Sequence, residues 1–146
     1  MSGSSFPERW PAADERAVGC HLLDAGEAFV PAPAEVGTVP AALGLWTTAA
    51  DLVRFGLGWS ALLPAPLAEE AMRPHVRPRG SSEGGIGLGW QINESRGVAG
   101  MSGLASGAAA SLVVKLDNGK VHVALTNRGI PIDEVNGRVF DALAGA

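Results

Sequence analysis

The sequence predicts an α+β protein in which an antiparallel sheet packs against helices. The clearest observation is a pair of segments, Ala109–Leu116 and Lys120–Thr126, in which apolar residues alternate with the period of a β-strand. Asp117–Gly119 lies between them, and these residue types tolerate the positive φ of a tight turn. Helical periodicity appears at Thr48–Leu63 before this hairpin and at Ile132–Leu143 after it. Strands grouped together with helices at either end define the α+β class.

Two helices are predicted before the sheet. The first begins at Thr48, whose hydroxyl can cap the early backbone N–H groups, while Asp51 favours the positive end of the helix. Four apolar residues then fall on one face, namely Leu52, Phe55, Trp59 and Leu62. A shorter helix is predicted over Pro66–Arg73, because proline is accepted in a first turn.

The remaining elements complete a single domain over residues 1–146. Strands are predicted at Ile86–Asn93 and Val98–Ser102, with a short strand near Ala17–Leu23. The final helix presents an apolar face formed by Ile132, Val135, Val139 and Leu143. The organisation is thus irregular over 1–42, helical over 43–76, an antiparallel sheet over 86–127 and a C-terminal helix over 131–146.

Composition indicates a soluble globular chain and excludes several classes. Hydrophobic residues are 47% and charged residues 18% of the 146 residues, which is too apolar for disorder. The net charge of −4 without a basic cluster argues against nucleic-acid binding. Cys20 is the only cysteine, so no internal disulfide forms. The absence of a long apolar run or a signal-like N-terminus predicts no membrane partner and a cytoplasmic location for the chain as written.

Three weak patterns have simpler explanations. His21, His75 and His122 have no metal-ligand spacing, so no metal or other cofactor is predicted. Gly84–Gly89 is rich in glycine but lacks the Gly-Lys-Ser ending of a phosphate loop. Ser102 lies in a turn-like Gly-Met-Ser-Gly sequence that does not match Gly-x-Ser-x-Gly, which favours a pocket-lining residue over a nucleophile.

Several short motifs occur in a fixed order along the chain. Leu43–Phe55 has the sequence LGLWTTAADLVRF, and Gly87–Trp90 has the sequence GLGW. Gly100–Gly103 has the sequence GMSG, and Leu125–Asn127 has the sequence LTN. Together they resemble the C-terminal portion of the serine β-lactamase family, which includes class C β-lactamases, D-Ala-D-Ala carboxypeptidases and related esterases. The resemblance implies a β-lactamase-like fold and the hydrolysis of β-lactam, peptide or ester acyl groups in the intact family.

Two of the family's catalytic motifs are absent. The family acylates the serine of a Ser-x-x-Lys motif, yet neither Lys115 nor Lys120 has a hydroxyl residue three positions before it. The second motif is Tyr-x-Asn, and the chain contains no tyrosine. Met1–Phe6 resembles an internal segment of the family, so we expect the chain to begin inside a longer hydrolase. A truncated reading frame, a pseudogene product, half of a split protein and a small complete domain are all open.

The third motif assigns four residues to the wall of the active site. By resemblance, Met101 takes the place of a cationic or polar donor, Ser102 contacts the substrate, and the backbone N–H after Gly103 belongs to the oxyanion hole. That last N–H is the one of Leu104, and any side chain leaves it intact. Met101 departs from the family pattern, since a thioether neither donates a proton nor carries positive charge.

Three functional hypotheses follow. The first is a hydrolase fragment that lacks its nucleophile, is inactive alone, and takes an acyl substrate only when an N-terminal half completes it. The second is a non-catalytic binding or interaction module derived from the same fold. The third is a small hydrolase that uses Ser102 itself. The open strand edge left by a missing half predicts a homo-oligomer or a complementing chain as partner.

Overall fold

The sheet and helices take the predicted α+β arrangement. The computed structural model describes residues 1–6, 21–24, 28–31, 42, 44–80, 84–105 and 107–144. The strands in these ranges are β1 (His21–Asp24), β2 (Ala28–Pro31), β3 (Gly84–Ile86), β4 (Gln91–Asn93), β5 (Val98–Ala105), β6 (Ala108–Lys115) and β7 (Val121–Thr126). The helices are α1 (Ala49–Gly58), a 3₁₀ turn (Trp59–Leu62), α2 (Ala65–Ala71) and α3 (Asp133–Ala144). An antiparallel sheet has the order β3-β4-β5-β6-β7, and β1 pairs with β2 separately.

The predicted hairpin is confirmed as β6 and β7. Ala109 lies opposite Thr126 and Val114 opposite Val121, while Gly119 turns the chain at a φ of 67°. The alternation in β6 does not separate a buried from a solvated face, since Leu112, Val113 and Val114 are all buried. β6 therefore has covered residues on both sides of the sheet, whereas Leu116 lies past the strand end and is exposed.

The two sides of the sheet are covered differently. The side that we call the α1 face carries Ala99, Leu112 and Val114, which form a core with Trp90 and Ile92. Phe55, Trp59 and Met72 of the helical region pack against this core. The opposite side, which we call the α3 face, carries Val98, Ser111 and Val113. Helix α3 approaches that side near β7.

Helix α1 begins where the sequence predicts. The side-chain oxygen of Thr48 accepts a hydrogen bond from Asp51 N at 3.1 Å, which satisfies one of the free donors of the first turn. The predicted helix Thr48–Leu63 is α-helical to Gly58 and then tightens into the 3₁₀ turn. The predicted helix Pro66–Arg73 is observed as Ala65–Ala71, with Pro66 in the first turn.

The predicted strand Ile86–Asn93 is wrong in one respect. Two short strands, β3 and β4, pair through this region and are joined by a turn at residues 87–90. Leu88 N donates to Ala71 O, and a Cβ on Gly87 would lie 2.2 Å from the same oxygen. The contact with α2 therefore bends the chain out of an extended conformation. The predicted strand Val98–Ser102 is confirmed and continues to Ala105.

The final helix is confirmed, but its buried face differs from the predicted one. Ile132 and Asn136 are buried at 7% and 8% exposure, whereas Val135 is 49% exposed. The buried residues at the start of α3 are thus spaced by four and include a polar amide. The helix contacts the sheet near β7, and Val135 lies on its outer surface.

The N-terminal region contains more structure than the predicted irregular segment. Strand β1 takes up the end of the predicted strand Ala17–Leu23, whose earlier residues lie outside the described ranges. His21 N donates to Asn127 O at 2.8 Å, and Gly129 N donates to His21 O at 3.0 Å. The hairpin of β1 and β2 thereby attaches to the chain just beyond the end of β7.

Candidate functional site

The second half of β5 is an exposed strand. Residues 98–100 are buried, and all five residues from Met101 to Ala105 are exposed. β4 pairs with β5 only as far as Gly100, so beyond that residue no described strand covers this edge. β6 pairs with the full length of β5 on the other side. The GMSG motif, which the sequence suggested to be a turn, therefore lies within β5, where the strand is flanked by β6 on one side.

The register of β5 against β6 determines which backbone N–H and C=O groups face this edge. Leu116 N donates to Gly97 O, and in an antiparallel pair every second residue bonds the same neighbour. Met101 and Gly103 thus direct their N–H and C=O groups to β6. Ser102 and Leu104 direct their N–H and C=O groups to the opposite edge of β5, away from β6. Gly100 directs its own backbone groups to the same edge, where it pairs with β4. The edge presents two N–H donors and two carbonyl acceptors in extended conformation.

The side chains of the four predicted site residues point to opposite sides of the sheet. Met101 lies opposite Leu112 on the α1 face and is 38% exposed. Ser102 lies opposite Ser111 on the α3 face. Gly103 has no side chain, and the space beside it is empty, since an added Cβ would have no heavy atom within 4 Å. The motif is therefore brought together along one strand, but its side chains do not converge.

Ser102 has no activating base among the described residues. No hydrogen bond within the described ranges joins its hydroxyl to a histidine or a carboxylate. His122 shares the α3 face but lies on β7, two strands away, which is about 10 Å. A nucleophilic serine needs a base within hydrogen-bond reach. The geometry therefore gives no support to a hydrolase that uses Ser102.

His21 and His75 do not belong to a cluster of metal-ligating side chains in the part of the chain that the structure describes. Within the ranges that the structure describes, no cluster of three or more His, Cys, Asp or Glu side chains is present. His75 lies 3.4 Å from Glu70 Oε1 on the surface, and His21 Nδ1 lies 3.4 Å from Asn127 Nδ2. Cys20 lies outside those ranges.

None of the helices in the described ranges is long and apolar enough to cross a membrane.

An open groove of about 830 Å³ runs along the α3 face beside this edge. Its lining includes Ile86, Val98 and Val113 from the sheet, Ser102 and Ser111 at the edge of the motif, and Gly137 from α3. The Ser102 side chain thus borders a large concave surface, while Met101 lies at its rim with its side chain on the other face.

Asp51 is a buried acidic residue with a structural role that the sequence did not predict. Asp51 is only 1% exposed, and its carboxylate accepts hydrogen bonds from Gly3 N at 2.8 Å, Ser4 Oγ at 2.8 Å and Arg54 at 2.7 Å. The Ser4 hydrogen bond, helped by Gly3 and Arg54, holds the pKa of Asp51 below its usual value, although burial opposes this. Asp51 therefore fastens the N-terminal segment to α1, and Ser5 pairs with Trp46 beside it.

The chain belongs to the beta-lactamase family, whose family model matches residues 4–146. The fold and the exposed GMSG strand agree with this class, which confirms the resemblance drawn from the sequence. The structure of a penicillin binding protein from Bacillus halodurans is similar, with a TM-score of 0.78 and 15% identity over 96% of this chain. The octameric penicillin-binding protein homologue from Pyrococcus abyssi gives a TM-score of 0.82 with 20% identity over 99%.

The chain corresponds to part of these relatives. It spans 44% of the length of the Bacillus halodurans protein and 34% of that of the Pyrococcus abyssi protein. At these identities the structural likeness concerns the fold alone. No curated protein matches the sequence.

Proposed function

We propose that this chain supplies one wall of an acyl-transfer site and that a segment outside residues 1–146 supplies the nucleophile. The observation that carries the proposal is the open edge of β5 beyond Gly100, where Ser102 and Leu104 direct backbone groups outward. An extended acyl chain pairs with such an edge as an added strand. A carbonyl held there next to the Leu104 N–H would have a preorganised donor for the charge that develops during acyl transfer.

Alone, the chain is proposed to be inactive. It contains no Ser-x-x-Lys and no Tyr-x-Asn, and Ser102 has no base among its described neighbours. Met101 stands where the family has a cationic or polar donor, and a thioether cannot protonate a leaving group. The second hypothesis, a binding module without catalysis, draws its support from the same residue. Methionine at this position lacks the proton donor of the third motif, whereas the outward backbone groups of Ser102 and Leu104 do not depend on its side chain.

Activity is tested on the purified chain with a chromogenic cephalosporin, p-nitrophenyl esters and a fluorophosphonate probe. We expect no hydrolysis above background and no labelling. Stoichiometric labelling that disappears in Ser102→Ala would contradict the proposal and restore the hypothesis of a hydrolase that uses Ser102. Labelling that survives in Ser102→Ala would point to a contaminating hydrolase or to another serine, and mass spectrometry of the labelled peptide separates these two outcomes.

Binding at the edge is tested with N-acetyl-D-Ala-D-Ala at millimolar concentration and NMR of the isotope-labelled chain. We expect shift changes centred on the amides of Ser102 and Leu104. Leu104→Pro removes the outward N–H without removing a bond to β6, since proline is accepted on a strand edge. It should abolish the shifts, whereas the matched variant Leu104→Ala, which keeps the N–H, should preserve them. Equal shifts in both variants would place the peptide elsewhere.

We also propose that the chain associates with a second copy or a complementing segment. β7 forms the far edge of the sheet in the described residues, and its register directs the backbone groups of Val121, Val123 and Leu125 outward. The helical region adds exposed apolar residues, namely Leu57, Leu62, Leu63 and Leu67. An open edge beside apolar surface favours pairing with another chain. Light scattering at micromolar concentration should show a species larger than a monomer, and a monodisperse monomer would contradict this.

A further inference from the structure

The chain contains two Asn-Gly dipeptides, Asn118-Gly119 and Asn136-Gly137. Glycine carries no Cβ, so its backbone nitrogen is open to the side chain of the residue before it. Attack of that nitrogen on the asparagine Cγ closes a five-membered ring, and a reaction between groups of one chain has a high effective concentration. Because the two dipeptides are identical, a difference between their reactivities in the folded chain reflects their surroundings.

Asn118-Gly119 lies in the exposed turn that joins β6 to β7. All residues from Leu116 to Lys120 are exposed, so water and base reach this site. Lys120 N donates to Asn118 Oδ1 at 3.0 Å. This hydrogen bond polarises the amide carbonyl and stabilises the negative charge that its oxygen gains during attack. Gly119 N donates to Lys115 O at 2.9 Å, and a hydrogen bond in an exposed turn opens by local fluctuation.

Asn136-Gly137 lies in a protected environment. Asn136 is 8% exposed inside α3, and its backbone N–H donates to Ile132 O at 3.0 Å. Each N–H within an α-helix is held to the carbonyl four residues before it. Gly137 N reaches the Asn136 side chain only after this part of α3 opens. The fold therefore leaves Asn118 reactive and protects Asn136.

We propose that Asn118 is a site of spontaneous covalent modification, at which asparagine is converted to isoaspartate through a cyclic imide. Base removes the proton from Gly119 N, the nitrogen bonds to Asn118 Cγ, and the side-chain nitrogen leaves as ammonia. Water then adds to one of the two ring carbonyls and breaks its bond to the ring nitrogen. Breaking the bond to Cγ gives aspartate, whereas breaking the bond to the original backbone carbonyl carbon gives isoaspartate. No oxidation or reduction takes place.

The isoaspartate product changes the backbone of the turn as well as its charge. The main chain then runs through Cγ and is one carbon longer, and a new carboxylate lies next to Asp117. The turn is closed by two hydrogen bonds, from Gly119 N to Lys115 O at 2.9 Å and from Lys115 N to Lys120 O at 2.8 Å. A longer main chain misaligns both bonds. We therefore expect the end of the β6 and β7 hairpin to loosen and the melting temperature to fall.

Peptide mapping of the intact chain after prolonged incubation in slightly alkaline buffer tests the site. Each converted amide adds one dalton, and electron-transfer fragmentation distinguishes isoaspartate from aspartate. In the folded chain we expect Asn118 to convert at least tenfold faster than Asn136, with isoaspartate as the main product. In the urea-unfolded chain the two rates should agree within about threefold, because the protection by α3 is then lost.

Two variants separate the new charge from the altered backbone. Asn118→Asp carries the charge on an unaltered main chain, and it should melt at a higher temperature than the incubated wild-type chain. Asn118→Gln, whose ring would have six members, should keep its melting temperature during incubation. Equal rates at Asn118 and Asn136 in the folded chain, or aspartate as the main product, would overturn the proposal. An incubated wild-type chain that melts together with Asn118→Asp would also overturn it. None of these measurements depends on acyl chemistry at β5.

Discussion

Gly56 lies where α1 packs closely against the sheet. A Cβ at this position would lie 2.7 Å from Val121 Cγ1 and 3.1 Å from Leu112 Cδ1. The first distance is shorter than side chains tolerate, and Val121 is β-branched, so it has little freedom to move away. The prediction is that Gly56→Ala pushes α1 away from the α1 face or forces Val121 out of its rotamer.

The expected magnitude is a balance of two effects. Alanine raises the helix propensity of α1 by about 0.5–1 kcal/mol relative to glycine. Overpacking of a close contact costs about 1–3 kcal/mol. The net loss should be about 1 kcal/mol, which lowers the melting temperature by roughly 2–4 °C in a domain of this size. Urea denaturation followed by circular dichroism measures the same difference as a shift in midpoint.

Two variants make this reasoning testable. Gly58→Ala, at the end of the same helix, meets no heavy atom within 4 Å and should not destabilise the chain. Val121→Ala should rescue part of the loss in the double variant, because it removes the atoms that the new Cβ would meet. A Gly56→Ala chain as stable as Gly58→Ala would refute the close packing of α1 on β7.

Two further predictions concern the core and the N-terminus. Leu112→Ala should destabilise the chain by about 2–5 kcal/mol, since Leu112 is 3% exposed in the main core, whereas Leu116→Ala at 45% exposure should cost far less; denaturation curves of the two variants give the comparison. Asp51→Asn should be less stable than wild type at pH 7. Because the folded-state pKa of Asp51 is lowered, its stabilisation is present above the unfolded-state value near 3.8 and is lost as pH falls through the folded-state value. The difference between wild type and Asp51→Asn should therefore shrink in melts below about pH 4, and a difference independent of pH would contradict the role of the charge.

Local signals in the sequence were sufficient for some elements. The hairpin of β6 and β7 follows from alternating residues and from Asp117–Gly119, which lie next to one another in the chain. The start of α1 follows from Thr48, whose capping bond spans three residues. The GMSG strand was found by its order among other motifs, and the register then placed the Leu104 N–H on the open edge.

Other features depend on contacts between distant residues. The turn between β3 and β4 is fixed by Ala71 O, and periodicity alone does not show that contact. The buried face of α3 is set by where the helix meets the sheet, so Asn136 is buried and Val135 is not. The hydrogen bonds of Asp51 to Gly3 and Ser4 bridge 48 and 47 positions, and no local pattern predicts them.

The order of the strands in the sheet also bears on how the chain reaches its structure. Each strand from β3 to β7 pairs with the next one along the sequence, so the sheet forms from neighbouring segments. Closing short loops costs little entropy, and folds rich in local pairing form quickly. The attachment of His21 to Asn127 joins residues 106 positions apart, so its closure cost exceeds that of the short loops within the sheet. We therefore expect the sheet of β3 to β7 to fold first. The hairpin of β1 and β2 is expected to attach to it in the last step.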